Sequence, residues 1–335
     1  MKISASLYAN NSRTQHQLIQ ELDRCLVDYF HIDSVENLSV FEDIQAIQKL
    51  SATPIDLHLI SSNPEKYFQK IEKLGVPQVA IQYENVEHHP VIFPQTATAW
   101  GLAISTETSI DVFEKYAATC AFILMMTSTP GQSGGNFRKE NFRRIRQFRK
   151  RFPSKKIFID GGVNDEVAFI LRILGVTGII SGSYLVNHYA IGEAILHLKS
   201  SVIHSQYQIK DFMVTIDDAP HVCEKELTVA QIIHSIDTGD LGFTLIQGNN
   251  GTLTGLVSNA DLRKGLMMNL DDLNNLRVDQ IINTKPICIH EDDTISALLS
   301  KIQQTDFLVS FLPVVGENNQ LKGMLSFAHL IRSES

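Results

Sequence analysis

The chain has 335 residues, 44% hydrophobic and 20% charged, which excludes a small stapled scaffold and a disordered polymer and leaves apolar material for two domains or a barrel with an appendage. Its 29 Lys and Arg stand against 37 Asp and Glu, and the net charge of -8 argues against nucleic acid and for small-molecule partners. Four cysteines, Cys25, Cys120, Cys223 and Cys288, lie far apart in no CxxC spacing, so neither a disulfide framework nor a zinc ribbon is expected and a reducing cytoplasm fits. The opening MKISASLYANNS has no long apolar region and the longest apolar stretch, 121–126, is too short to span a bilayer, so no targeting or membrane segment is expected.

Short runs rich in apolar and β-branched residues recur through the first 200 residues, separated by amphipathic segments of helical length. Strands are predicted near 2–7, 29–34, 55–60, 79–83, 99–105, 122–128, 156–161 and 178–183, with helices such as 63–74, 164–174 and 190–199 between or after them. This alternation predicts an α/β chain whose residues 1–199 form a (β/α)₈ TIM barrel rather than an open doubly wound sheet. Residues 138–156 hold ten Lys or Arg and one Glu. Phe142, Ile145, Phe148 and Phe152 recur there at helical spacing, so the segment reads as an outer barrel helix with one buried stripe rather than an anion-binding arm. His88 and His89 read as loop histidines and Trp100 as core.

The polar stretch 200–208 reads as a linker, and a second domain, 209–335, is built from two similar halves. IKDFM at 209–213 aligns with VDQII at 278–282, Thr228 with Thr294, and GLVSNAD at 255–261 with GMLSFAH at 323–329. Each half is expected to run helix, strand, polar turn (248–251 and 316–320), strand and a further helix.

Three barrel strands end in chemistry-bearing residues: His31 and Asp33, Asp56 and His58, and Asp160 ahead of Gly161 and Gly162. Residues i and i+2 of a strand share a face, so these groups converge on the C-terminal rim, where barrels of this kind place their active sites. Imidazoles and carboxylates together suit Zn²⁺, Mn²⁺ or Fe²⁺; separate buried, hydrogen-bonded residues are the alternative. Glycines follow strands six, seven and eight, at Gly131, Gly134 and Gly135, at Gly161 and Gly162, and at Gly182 before Ser183. Together they suggest backbone amides arranged for a phosphate, although each alone reads as an ordinary tight turn.

Residues 1 to about 198 resemble the ribulose-phosphate 3-epimerase family. ASL at 5–7, HID at 31–33, DLHLI at 56–60, Met126 with TSTPGQSGG at 127–135, IDGG at 159–162 and SGS at 181–183 carry the resemblance. It implies a divalent metal held by His31, Asp33, His58 and Asp160, with Asp33 and Asp160 as the acid/base pair. Substrate contacts are implied for Ser6, His58, Met126 and the phosphate-loop residues Gly131, Gly134, Gly135, Gly161, Gly162, Gly182 and Ser183. The metal would polarise the C2 carbonyl of a ketose phosphate and hold its enediolate, while the two aspartates exchange the C3 proton from opposite faces. His58 stands where related decarboxylases carry the lysine of Asp-x-Lys-x-x-Asp, which disfavours decarboxylation.

Ser34-Val35-Glu36-Asn37-Leu38 departs from the family's Met-Asp-Gly and its longer hydrophobic cover, and Val35 and Ile60 stand in place of two family methionines. Besides interconversion of ribulose 5-phosphate and xylulose 5-phosphate, two readings stay open: epimerisation of another ketose phosphate such as allulose 6-phosphate, and a metabolite sensor or scaffold with a degenerate barrel. A cytoplasmic homo-oligomer with no nucleic-acid or membrane partner is expected.

Residues 209–335 resemble a tandem CBS-domain pair, most similar to the tail of arabinose-5-phosphate isomerases, through GDLGFTLIQGNNGTLTGLVSNADLRKGL at 239–266. Such pairs bind nucleotides, and the Ser/Thr-x-x-Asp motif of that family matches Ser258 and Asp261. The second half keeps Ser326 but has His329 in place of the aspartate. The resemblance implies one fully equipped cleft for an adenine nucleotide or nucleotide-sugar effector; an architectural or dimerising module is the alternative.

Overall fold

The computed structural model describes residues 1–128, 135–200, 205–305, 307 and 309–328. The chain divides into two compact units, Met1–Ile203 and His204–Ile331.

The first unit is a closed barrel of eight parallel strands, β1 (Lys2–Ser6), β2 (Tyr29–Val35), β3 (Ile55–Ile60), β4 (Gln78–Gln82), β5 (Ala99–Ile104), β6 (Phe122–Met126), β7 (Lys156–Asp160) and β8 (Gly178–Ser181). β8 closes the barrel against β1. Around it run α1 (Gln15–Arg24), α2 (Val40–Leu50), α3 (Phe68–Lys73), α4 (Tyr83–Val86), α5 (Glu140–Arg151), α6 (Asp165–Ile173), α7 (Ser183–Val186) and α8 (Ile191–Lys199). Every expected strand forms. Several stop a residue or two early, where the chain turns off the ladder toward the site. The helix expected at 63–74 opens instead as a 3₁₀ turn, Pro64–Tyr67, with proline in its first positions, and becomes α-helical only at Phe68.

The barrel floor is filled by Ala80, Ala103, Phe122, Leu124, Phe158 and Ile180, with Met126 packed above them. The Phe122 and Phe158 rings meet edge to face at 5.2 Å. Glycine makes room for each: a Cβ at Gly101 would lie 2.4 Å from the Phe122 ring, and one at Gly178 would lie 2.5 Å from that of Phe158. With the floor closed by apolar side chains, polar groups that point inward collect at the C-terminal rim.

Helix α5 buries Phe142, Ile145 and Phe148 as its spacing predicts. Phe152 lies just past the helix end and packs its ring 5.2 Å from Phe113 and 4.9 Å from Phe148. The basic run is used within the barrel: Arg144 donates to the carbonyls of Ser105 and Thr108, Arg149 to that of Gly175, and Arg151 pairs with Asp111 and Glu114. Trp100 is core, its ring 4.7 Å from Phe68 and 5.8 Å from Phe93.

In the second unit α9 (Ile209–Phe212) and β9 (Val214–Thr215) precede β10 (His221–Cys223), α10 (Val229–Gly239), β11 (Phe243–Gln247), β12 (Leu253–Ser258) and α11 (Asn259–Met268). The pattern returns as β13 (Ile289–His290), α12 (Ile295–Gln303), β14 (Phe311–Val315) and β15 (Leu321–Ser326). The sheets run β10-β11-β12 and β13-β14-β15-β9. The leading segments are exchanged: β9 of the first half pairs with β15, while Asn283 of the second half exchanges both backbone hydrogen bonds with Leu256 on β12. Matching glycines admit these segments, since a Cβ at Gly323 would lie 1.9 Å from the Val214 carbonyl oxygen and one at Gly255 would lie 2.6 Å from Ile282. Phe243 and Phe311 stack at 3.9 Å in a core drawn from both halves. The helix expected from position 326 onward falls largely outside the described residues. Among the described residues, no helix is long and apolar enough to cross a membrane.

Gly178→Ala is expected to destabilise the barrel by about 1–3 kcal/mol through overpacking against Phe158, and Phe158→Leu in the same chain is expected to recover most of that loss. Trp100 is the sole tryptophan and lies in the barrel, so its fluorescence in a denaturant titration reports this unit alone.

Candidate active site

Strand register places the polar residues before any side chain is considered. On β2, His31 is level with Ser6 on one side and Asp56 on the other, Asp33 is level with His58, and Asp160 on β7 is level with Met126. His31, Asp33, His58 and Asp160 each offer a ligand atom, all within 4.8 Å of one another. Asp33 Oδ1 lies 3.4 Å from His31 Nε2 and 3.0 Å from His58 Nδ1.

A second layer holds these groups. His31 Nδ1 donates to Asp56 Oδ2 at 3.0 Å, and the buried Asp56 also accepts from Ser4 Oγ and Gln78 Nε2, each at 3.0 Å. Asp56 therefore sits below the cluster as the support of His31, not in the ligand set. His58 Nε2 lies 2.6 Å from Gln82 Oε1, and Gln82 donates in turn to Glu84. Ser4, Gln78, Gln82 and Glu84 escape motif reading. The available signal was two polar residues, Gln78 and Gln82, bounding the wholly buried strand β4.

With Nδ1–H engaged by Asp56, His31 turns Nε2 into the cluster, and that buried atom has no hydrogen-bond partner among the described residues. Beside an ionised carboxylate this nitrogen calls for positive charge, as a proton of its own or as a bound cation. The same demand appears in the titration of the site. Burial opposes protonation of His31, but Asp33 and Asp56 outweigh it and hold its pKa well above the usual imidazole range. Burial would raise Asp33; His31 and His58 overcome it and keep this carboxyl far below the ordinary value. Asp160 goes the other way, pushed up to about 6, first by burial and then by Asp33, against the pull of the imidazoles. The donor set, the unpartnered nitrogen and the supports behind both imidazoles fit a divalent ion with N/O preference.

The glycine loops occupy the same rim. Gly161 and Gly162 follow β7 with φ of +110° and +67°. A Cβ at Gly162 would fall 2.2 Å from the Phe137 amide nitrogen and 2.7 Å from the Gly135 carbonyl oxygen, so this backbone lies against 135–137. Gly182 follows β8 beside Ser6 and Ala9, and Ser183 opens α7. Gly135, which follows β6, and Gly162, just past β7, are thus neighbours, as are Gly182, just past β8, and Ser6 at the end of β1. Gly131 and Gly134 lie outside the described residues. Met126 is half-buried at the end of β6. His88 and His89 join no cluster among the described residues, and burial pushes the Cys120 thiol up to about 12, which removes it as a nucleophile.

In the second unit Ser258 and Asp261 form the capping box of α11: the Ser258 amide donates to Asp261 Oδ2 at 3.0 Å and the Asp261 amide to Ser258 Oγ at 3.3 Å. The counterpart His329 lies outside the described residues.

The family model described as "Ribulose-phosphate 3 epimerase family" matches residues 2–186, and that described as "CBS domain" matches 278–335. A ribulose-phosphate 3-epimerase of Aquifex aeolicus is 28% identical over 199 residues, covering 55% of this chain and 89% of the relative. The one from Schizosaccharomyces pombe is 23% identical over 224 residues, covering 61% and 95%. Among solved structures, that of CBSX2 in complex with AMP is 21% identical, with a TM-score of 0.31, covering 38% of this chain and 96% of its own.

Asp56→Asn keeps the shape of the support but removes its charge. It is expected to leave the barrel folded and weaken binding of a divalent ion at the cluster by roughly 10–100-fold, as measured by calorimetric titration of chelator-treated protein with Zn²⁺ or Mn²⁺.

Proposed function

The chain belongs to the ribulose-phosphate 3-epimerase family, and from that premise we propose that it is a metal-dependent ketose-phosphate 3-epimerase, interconverting ribulose 5-phosphate and xylulose 5-phosphate, with a C-terminal nucleotide-binding regulatory module. The carrying observation is the rim cluster, where two imidazoles and two carboxylates of opposite titration behaviour meet within 4.8 Å. His31, Asp33, His58 and Asp160 would hold the ion, Zn²⁺, Mn²⁺ or Fe²⁺. When bound, it supplies Lewis-acid polarisation of the substrate's C2 carbonyl.

The proton work belongs to the two aspartates. One removes the C3 proton, and the other delivers a proton to the opposite face of the planar enediolate; the roles exchange in the reverse direction. Such a step needs one carboxyl that is ionised and one that takes up a proton more readily, and Asp33, held far down, and Asp160, pushed up to about 6, are separated in that sense. Ser6, His58 and Met126 line the substrate position, and the amides of Gly135, Gly161, Gly162, Gly182 and Ser183 receive the phosphate. The proposed division is a barrel over 1–199, a linker over 200–208 and a CBS pair over 209–335. In the pair, Ser258 and Asp261 receive the ribose of an adenine nucleotide or nucleotide-sugar; the free oxygen of Asp261, Oδ1, is available because its cap uses Oδ2.

Asp33→Asn and Asp160→Asn are each expected to lower turnover by roughly 10²–10⁴, and chelation to act likewise, in an assay that follows exchange of the C3 hydrogen with deuterated water across a panel of ketose phosphates and their free sugars. Exchange with none of them would favour the sensor reading. Preference for a six-carbon ketose phosphate would reassign the substrate.

For the second unit, calorimetry of the full chain is expected to show one nucleotide bound per chain. Because Asp261 also caps α11, Asp261→Asn, which keeps a cap acceptor, is the diagnostic variant; Asp261→Ala would add about 1 kcal/mol of cap loss. Two equivalent sites, or unchanged affinity in Asp261→Asn, would contradict the one-cleft assignment.

A further inference from the structure

Thr127 and Ser128 carry the chain past the end of β6, and their hydroxyls are used differently. Thr127 is wholly buried: its amide donates to the Asp160 carbonyl at 2.7 Å, and its Oγ1 donates to the carbonyls of Asp160 and Gly161 at 3.0 and 2.6 Å. This side chain is committed to the backbone of the neighbouring strand end. Side chains alternate along an extended chain, so Ser128 returns to the face of Met126, one step nearer the rim. Its place there is set by Gly161, since a Cβ at 161 would lie 2.3 Å from Ser128 Oγ and 2.8 Å from Ser128 Cβ. The serine thus occupies the space that any larger residue at 161 would need, at the turn where Gly161 and Gly162 take φ of +110° and +67°.

Ser128 is only 6% exposed, yet its hydroxyl makes no hydrogen bond among the described residues. Hydroxyls placed this deeply are ordinarily paired, and contact with a glycine does not replace the missing bond. The open donor lies beside Gly161, one residue beyond Asp160 of the rim cluster. An ionised phosphate oxygen accepts hydrogen bonds and cannot donate, which suits a hydroxyl whose proton is uncommitted.

We propose that Ser128 is a further substrate-binding residue, its hydroxyl donating to a phosphate oxygen of the ketose phosphate. The assignment rests on the reading of the glycine rim as the phosphate site, and it adds a side-chain donor to the backbone amides named there.

Ser128→Ala separates binding from folding, because deleting a hydroxyl that has no protein partner removes no folding interaction. Its Tm is expected to equal or exceed that of the wild type. Calorimetric titration of the chelator-treated full chain with inorganic phosphate is expected to show affinity lowered by roughly 10–100-fold. With the metal-loaded chain, KM for ribulose 5-phosphate should rise while kcat changes little, the pattern of a contact made equally in ground and transition states. A lower Tm in Ser128→Ala would make the hydroxyl a structural partner and overturn the assignment. So would equal phosphate affinity in the two proteins, or a KM increase for free ribulose as large as that for its phosphate, which would place the contact on a sugar hydroxyl. A wild-type chain that binds neither inorganic phosphate nor ribulose 5-phosphate would remove the phosphate site itself and this assignment with it. A wild type that binds both, beside a variant that binds them equally well, would leave the site standing and exclude Ser128 from it.

Discussion

Two imidazole nitrogens within 3.4 Å of an ionised carboxylate oxygen in a buried site are stable only with positive charge among them, as a proton on an imidazole or as a bound cation. Much of the barrel serves this requirement. Parallel strands in register bring His31, Asp33, His58 and Asp160 to one rim from three strands, and the rings of Phe122 and Phe158 close the space beneath. Asp56 is the one carboxylate buried below the rim, and it is acceptable there because His31, Ser4 and Gln78 all donate to it.

The barrel was legible because parallel strands buried on both faces read as short apolar runs, and here each is bounded by turn residues and followed by a helical pattern. The residues of the rim cluster were legible for a related reason. His31 and Asp33 share a face by alternation, and charged residues ending otherwise apolar strands have little structural reason to be there. The support layer was not legible. That Asp56 supports His31 depends on the stagger of β3 against β2, which brings Asp56 level with His31 and His58 level with Asp33, and local spacing does not record that stagger. Gln82 reaches His58 and is itself held by Glu84, whose other partners, Ser105 and Thr108, come from the next strand's loop, more than twenty residues away in sequence. The basic run on α5 shows the same limit: its charge suggests an external anion, while Arg144 and Arg149 spend their donors on carbonyls that only the fold brings near.

In the second unit the repeat was visible in sequence, but the exchange of leading segments was not. Aligning 209–213 with 278–282 says that the segments are alike and nothing about which sheet each joins. The structure answers with Gly255 and Gly323, whose missing side chains admit the segment of the opposite half. Neither half completes its sheet edge alone, and Phe243 and Phe311 stack in a core drawn from both, so the two halves pack as one body.

Charge counting in the barrel site leads back to the chemistry. Three carboxylates, Asp33, Asp56 and Asp160, lie in or just beneath the cluster, Asp56 fully buried and Asp160 partly so. A dipositive ion held there would balance two of them and leave the third to take a proton or stand uncompensated. Asp56 is fixed as an acceptor by its donors, and Asp33 faces both imidazoles, so Asp160, whose surroundings are the least favourable to charge, is the carboxyl that takes a proton most readily. In the proposed epimerisation, removing the C3 proton on one face and returning a proton on the other exchanges the roles of Asp33 and Asp160 and leaves the total charge of cluster and substrate unchanged, so the constraint that holds the site together is met in both directions of the reaction.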